Sequence, residues 1–103
     1  MQEIQYIGTK DFSAEERVTV QQISEEQYAK IKRLHKHIDG MTVHIKSTEK
    51  PGAKKRYDIH TRLAVIGKEH IESCASSDYD LRLALHKSFE DIEHQVEHKL
   101  HLN

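Results

Sequence analysis

The sequence is poor in residues that cross-link the chain or interrupt its helices and strands. Its 103 residues include one cysteine, one proline, four glycines and no tryptophan. The lone cysteine, Cys74, excludes an intramolecular disulfide and suits a reducing compartment, so we expect a cytoplasmic protein. No apolar run approaches the roughly 20 residues of a transmembrane helix. The N-terminus also lacks a basic segment followed by an apolar one, so we expect no membrane partner and no secretion signal.

Signatures of catalysis are missing as well. The sequence has no glycine-rich phosphate loop, no paired-carboxylate motif and no nucleophile elbow. Cys74 falls on a predicted strand with no histidine at a telling distance, so nothing marks it as a nucleophile. We therefore predict a protein without enzymatic activity, without a cofactor and without a small-molecule substrate.

Length and composition indicate one globular domain over residues 1–103. Charged residues make up 32% of the chain and hydrophobic residues 36%, which is typical of a folded protein with one modest core. The sequence contains no internal repeat, low-complexity tract or linker.

The clearest periodic pattern runs from Asp80 to Leu102. Apolar residues recur there at steps of three and four, which draws one stripe along a helix of about six turns. Ser76, Ser77 and Asp78 precede this helix as candidate N-caps. The stripe is formed by Leu81, Leu85, Phe89, Ile92, Val96 and Leu100.

The first third of the chain predicts a strand followed by a helix. Residues 1–8 alternate, with Ile4 and Tyr6 on one face, and Ser13 with Glu16 forms a capping box. Helical spacing then continues through Val20, Ile23, Gln27, Ile31, Leu34 and Ile38. This favours a helix over about residues 14–38, ended by Gly40.

A second interpretation of this segment stays open. Residues 17–23 are rich in β-branched side chains and could form a strand. Ser24 and Gln27 would then make a second capping box that starts a shorter helix.

Three alternating segments lie in the middle of the chain, at residues 41–50, 57–66 and 68–75. Turns at Pro51–Gly52 and Gly67–Lys68 separate them, so they predict an antiparallel meander with one buried face. The expected fold class is α+β. It is a two-layer sandwich of order β-α-β-β-β-α, with a mainly antiparallel sheet and both helices on one face. This order resembles the double-stranded-RNA-binding fold with an added first strand.

Charge is segregated along the chain, although the net charge is only −1. Residues 30–68 carry eleven basic and three acidic side chains, whereas both flanking segments are acidic. Several cations on one surface suit the phosphates of structured RNA, which proteins contact through shape and backbone. The candidate RNA contacts are Lys30, Lys32, Arg33, Lys36, Lys54, Lys55, Arg56, Arg62, Arg82 and Lys87. We expect them to share one exposed wall, with the carboxylates elsewhere.

The nine histidines suggest a second kind of site. His94, His98 and His101 follow one another at helical steps of four and three, a spacing that can hold a metal ion. His44, His60 and His70 could gather on the open face of the sheet. The alternative for both groups is an ordinary polar surface, and a metal is not part of the predicted function.

The last helix also resembles a known family. Asp80-Leu81, Ala84-Leu85, Phe89-Glu90, Ile92-Glu93 and Gln95-Val96 are similar to the final helix of the ribosome hibernation promoting factors. These proteins are also called protein Y, ribosome-associated inhibitor or sigma-54 modulation protein. The apolar positions are kept, but the family's tyrosine, second aspartate, lysine and arginine are replaced by Arg82, His86, Asp91 and His94.

The resemblance implies the same β-α-β-β-β-α fold and a translation inhibitor that acts in stress. It also implies that the partner is the small ribosomal subunit, contacted through its rRNA. A homodimer, or a diverged copy of the fold that binds protein and not RNA, is the alternative, because the acidic last helix could pair with the basic middle of a second copy.

Overall fold

The computed structural model describes residues 3–52, 54–73 and 76–99, and it confirms the α+β class. Five strands and two helices follow the predicted order, except that a short additional strand precedes the last helix. The elements are β1 (Ile4–Ile7), α1 (Ala14–Leu34), β2 (Ile38–Thr48), β3 (Arg56–Val65), β4 (Ile71–Glu72), β5 (Ser76–Asp78) and α2 (Leu81–Lys99).

The strands form one mixed sheet in the order β1-β2-β3-β4, and β5 also pairs with β3. β1 runs parallel to β2, while the remaining pairs are antiparallel. The strand predicted at 68–75 is confirmed only at residues 71–72, which form β4, and β5 lies beyond it in residues predicted to cap the last helix. Glu72 pairs with Arg62 but Ser76 pairs with Ile59, so the register shifts by one residue between β4 and β5. Cys74 and Ala75 lie outside the described residues.

The predicted alternation of β2 and β3 is confirmed. Met41, Val43 and Ile45 are buried on β2, as are Ile59 and the inward positions that follow it on β3. β3 lies under the stripe of α2, of which Leu81, Leu85, Phe89, Ile92 and Val96 are buried, whereas β2 packs against α1; Leu100 lies outside the described residues. The sheet therefore has one face covered by helices and one open face.

Three hydroxyls lie inside this core. The Ser88 hydroxyl of α2 is within hydrogen-bond distance of the Thr61 hydroxyl, at 2.8 Å, and of the Ser73 hydroxyl, at 3.0 Å. The Thr61 N–H also donates to the Ser73 hydroxyl, at 2.9 Å. All three side chains are buried, and each satisfies the polar groups of the others.

Helix α1 starts as predicted but ends a turn early. The Ser13–Glu16 capping box is present, and residues 17–23 are helical, so the strand alternative for them is wrong. The helix stops at Leu34 because the chain is needed for β2: Ile38 pairs with Val65. Gly40 therefore lies within β2 and caps no helix.

Helix α2 is capped by Asp80, a residue that the periodic pattern had included in the helix itself. The Asp80 carboxylate accepts the N–H groups of Arg82 and Leu83, at 2.9 and 3.3 Å. The predicted caps Ser76, Ser77 and Asp78 instead belong to β5. Asp80 is the N-cap because it immediately precedes Leu81, the first residue of α2.

The two helices lie side by side and run in the same direction. Arg82 at the start of α2 lines the same surface groove as Ala14 and Glu15 at the start of α1. Near the other end, the Lys30 ammonium is 3.5 Å from the Glu93 carboxylate. Neither helix of the described chain is long and apolar enough to span a bilayer.

Candidate nucleic-acid interface

Six of the ten candidate RNA contacts lie beside a carboxylate. The expectation that cations and carboxylates occupy separate surfaces is therefore wrong for these positions. The pairs are Lys30–Glu93 (3.5 Å), Lys32–Glu3, Lys55–Glu16 (3.0 Å), Arg56–Asp58 (3.2 Å), Arg62–Glu72 (3.6 Å) and Lys87–Asp78 (2.8 Å).

Electrostatics agree with these contacts. A hydrogen bond from Lys32 lowers the pKa of the Glu3 carboxyl, and one from Lys87 lowers the pKa of Asp78. The pKa of Asp58 is also lowered, first by a hydrogen bond from Ser77 and then by Arg56. All three carboxylates therefore stay charged well below neutral pH and partly neutralise their cations.

Five of the six pairs have a cation that is roughly half exposed, and Lys55 is the exception. Exposed pairs contribute little stability, so a phosphate can replace the carboxylate at small cost. The Lys55 ammonium lies 5.0 Å from the ring centre of Phe12 and 5.4 Å from that of Tyr57. Lys55 therefore serves to hold the β2–β3 loop against α1.

Four candidate cations have no carboxylate within 4 Å in the described part of the chain: Arg33, Lys36, Lys54 and Arg82. Arg33 and Lys36 lie at the C-terminal end of α1, whereas Arg82 lies beside the first turns of α1. A helix rises 1.5 Å per residue, so these two places are about 28 Å apart. The unpaired cations of the helices mark both ends of the helix pair and do not form one cluster.

The described histidines are exposed or half-buried. His94 and His98 are exposed on α2, His101 lies outside the described residues, and no three potential ligands gather around a metal site in the described ranges. On the open sheet face, His44 of β2 pairs directly with His60 of β3. His70 is exposed just before β4, outside the paired strands.

The residues that anchor α1 to the sheet could not be recognised from the periodic patterns. Phe12, before the helix, is buried and makes an edge-on contact with Tyr57 at a centroid distance of 5.9 Å. Tyr28 is buried on α1, and its hydroxyl donates to Glu3 at 3.3 Å. Phe12 stands outside every periodic segment, so its only signal was its place as the apolar residue before the Ser13 cap.

The fold is similar to a solved structure, although sequence comparison finds no relative. No protein-family model matches the chain, and no curated protein matches it significantly. The structure of a ribosomal subunit interface protein from Coxiella burnetii superposes with a TM-score of 0.69 at 14% identity. The match covers 96% of this chain and 98% of that one, so the two share a fold over nearly their whole lengths.

Proposed function

We propose that this protein is a non-catalytic, cytoplasmic factor that binds the ribosome and restrains translation under stress. Its partner would be the small subunit, contacted through rRNA. The observation that carries the proposal is the fold, which is shared end to end with a protein named for the ribosomal subunit interface. The family resemblance of the last helix supports the same function.

The exposed cations support contact with rRNA backbone. Arg33, Lys36 and Arg82 stand free of carboxylates in the described chain, at the two ends of the helix pair. An RNA duplex offers phosphates all along its length, so separated contacts can grip one rRNA segment. Lys30, Lys32 and Lys87 would join them by exchanging a carboxylate for a phosphate, and Lys54, Arg56 and Arg62 would contribute from the hairpin and sheet.

Co-sedimentation with purified small subunits tests the proposal at pH 7.5, in low and then moderate salt. The protein should pellet with the subunits at low salt and dissociate as salt rises, because binding releases counterions. The double variant Arg33→Glu/Lys36→Glu should lose most of the bound fraction. Lys10→Glu/Lys68→Glu makes the same change in net charge at exposed positions elsewhere and should bind like the wild type.

Two results would refute the proposal. The first is the absence of any subunit-bound fraction at low salt. The second is an equal loss in both double variants, which would show that only net charge matters.

A second candidate function is protein binding, including self-association. It is favoured by the paired charges and by three aliphatic side chains that are exposed on the helices, Val18 (51%), Leu34 (70%) and Leu83 (52%). Light scattering would then show a dimer that weakens with salt, and RNA would not bind. A monomer at all salt concentrations would exclude self-association.

A further inference from the structure

The face of the sheet that carries no helix has its own charge pattern. Strand register places four successive cross-strand pairs there, each contributed by β2 and β3. Alternate residues of a strand repeat about every 6.6–6.8 Å, so the pairs form an evenly spaced ladder. The four pairs are Thr42–Arg62, His44–His60, Lys46–Asp58 and Thr48–Arg56.

The His44–His60 pair lies at the centre of this ladder. Directly opposite side chains have Cβ atoms about 4.5–5.5 Å apart, so two protonated imidazoles there repel each other. His44 is exposed and His60 half-buried, which leaves both open to a ligand. An anion bound between them would relieve the repulsion.

The charged groups around the pair are few. Lys46 and Asp58 lie on one side along the strands, and Arg62 lies on the other. Asp58 is engaged by Arg56 and by the Ser77 hydroxyl, while Glu72 of β4 is 3.6 Å from Arg62. Beyond His44, β1 contributes the uncharged Ile7.

Protonation of the two histidines changes the character of this face. With neutral imidazoles, three cations oppose the two carboxylates of Asp58 and Glu72, for a net charge of +1. With both imidazoles charged the net charge is +3. Histidine is the side chain that ordinarily makes this change between pH 5 and 8. Among the described strand residues of this face, Ile7 is the one large apolar side chain that is exposed, so the surface suits a polyanion better than an apolar protein partner.

We propose that the open sheet face is a second RNA-contacting surface, which engages the phosphate backbone as His44 and His60 become protonated. The inference rests on the proposed function and adds its regulation: acidification strengthens binding. By linkage, if RNA binds the protonated pair more tightly, the protein must take up protons as the complex forms. Imidazole and guanidinium planes can also stack on unpaired bases, so single-stranded segments suit this face.

Fluorescence anisotropy with a labelled single-stranded RNA tests this at pH 7.5 and pH 6.0, at constant ionic strength. EDTA in the buffer excludes bridging by metal ions. We expect the wild-type affinity to rise about tenfold at pH 6.0. The slope of log affinity against log salt should steepen by about one to two, since each added phosphate contact on a single strand contributes about 0.7.

The double variant His44→Gln/His60→Gln should lose most of that gain. The matched variant His94→Gln/His98→Gln, with the same number of histidines removed from α2, should keep it. None of the four substituted histidines is fully buried, and circular dichroism would confirm that each variant is folded. Calorimetry in two buffers of different ionisation enthalpy should show proton uptake by the wild type and less by the sheet variant.

The outcomes separate this inference from the proposed function. If the sheet variant keeps the full gain at pH 6.0, or if the α2 variant loses as much, the inference is overturned. Ribosome binding at pH 7.5 would still support the proposed function in that case. If subunits are not bound at pH 7.5, the proposed function fails whatever the oligonucleotide shows.

Discussion

The hydroxyl of Tyr57 on β3 donates a hydrogen bond to the carboxylate of Glu16 in the first turn of α1. The same carboxylate accepts the Ser13 N–H at 2.9 Å and lies 3.0 Å from the Lys55 ammonium. Burial alone would raise the pKa of Glu16, but these three donors outweigh it and lower the pKa to about 2. Burial and the nearby carboxylate raise the pKa of Tyr57 to about 12. The Glu16 side chain thus joins the start of α1 to the β2–β3 hairpin.

Tyr57→Phe should destabilise the fold by about 2 kcal/mol, because a hydrogen bond to a partly buried carboxylate is lost. Urea denaturation at pH 7 measures the change. Tyr79→Phe is the matched control, since Tyr79 is 60% exposed and should tolerate the loss of its hydroxyl. Equal midpoints for wild type and Tyr57→Phe would show that the contact contributes nothing.

Glu16 should make the fold sensitive to acid. Its pKa is lowered on folding, so its contribution is complete above about pH 4.5 and disappears as the pH falls toward 2. The wild type should lose about 3 kcal/mol of unfolding free energy over this range through this group. Glu16→Gln should be less stable at pH 7 and lose correspondingly less in acid. The exposed Glu26→Gln is the control, and an unchanged pH profile in Glu16→Gln would contradict the assignment.

Gly8→Ala should be among the most damaging single changes, costing more than about 3 kcal/mol. Gly8 has φ +90°, and an added Cβ would lie 1.9 Å from the Ile45 carbonyl oxygen. Gly52→Ala separates the two causes, because Gly52 has φ +75° but nothing within 4 Å of the added atom. It should cost only about 1 kcal/mol. Thermal melts compare the two, and equal losses would mean that the collision with β2 is relieved by movement.

The hydroxyl cluster of Thr61, Ser73 and Ser88 should behave as a unit. Ser88→Ala leaves two buried hydroxyls short of a partner and should cost about 1–3 kcal/mol. Adding Thr61→Val should cost less than the sum of the single changes, because it removes one of the orphaned groups. A double-mutant cycle by urea denaturation measures this coupling. Strict additivity would mean that the hydroxyls act independently.

Local patterns predicted most of the fold. The stripe from Leu81 to Val96 and the alternation of β2 are repeated many times over, so each residue supports the same assignment. The end of α1 was missed because apolar spacing continues to Ile38. Ile38 instead pairs with Val65, 27 residues later in the chain. A local sequence pattern cannot indicate a contact between such distant residues. Strand β5, which pairs with β3, was missed for the same reason.

The surface was harder to predict than the core. The sequence identified the basic middle of the chain, but not that Glu93 would lie beside Lys30 or Glu3 beside Lys32. Ion pairs between distant segments depend on how elements pack, and charge counts along the chain do not contain that information. The proximity of His44 and His60, by contrast, could be predicted because it depends only on the register of the β2–β3 hairpin.

The common direction of α1 and α2 gives the helix pair an electrical polarity. Each helix carries about half an elementary positive charge at its amino end and the equivalent negative charge at its carboxyl end. Arg33 and Lys36 therefore offset two carbonyl ends, whereas Arg82 adds to two amide ends. The electrostatic potential is therefore more positive at the amino ends of the two helices than at their carboxyl ends. A polyanion that lay along the helices would therefore be attracted most strongly at the end of the pair that carries Arg82.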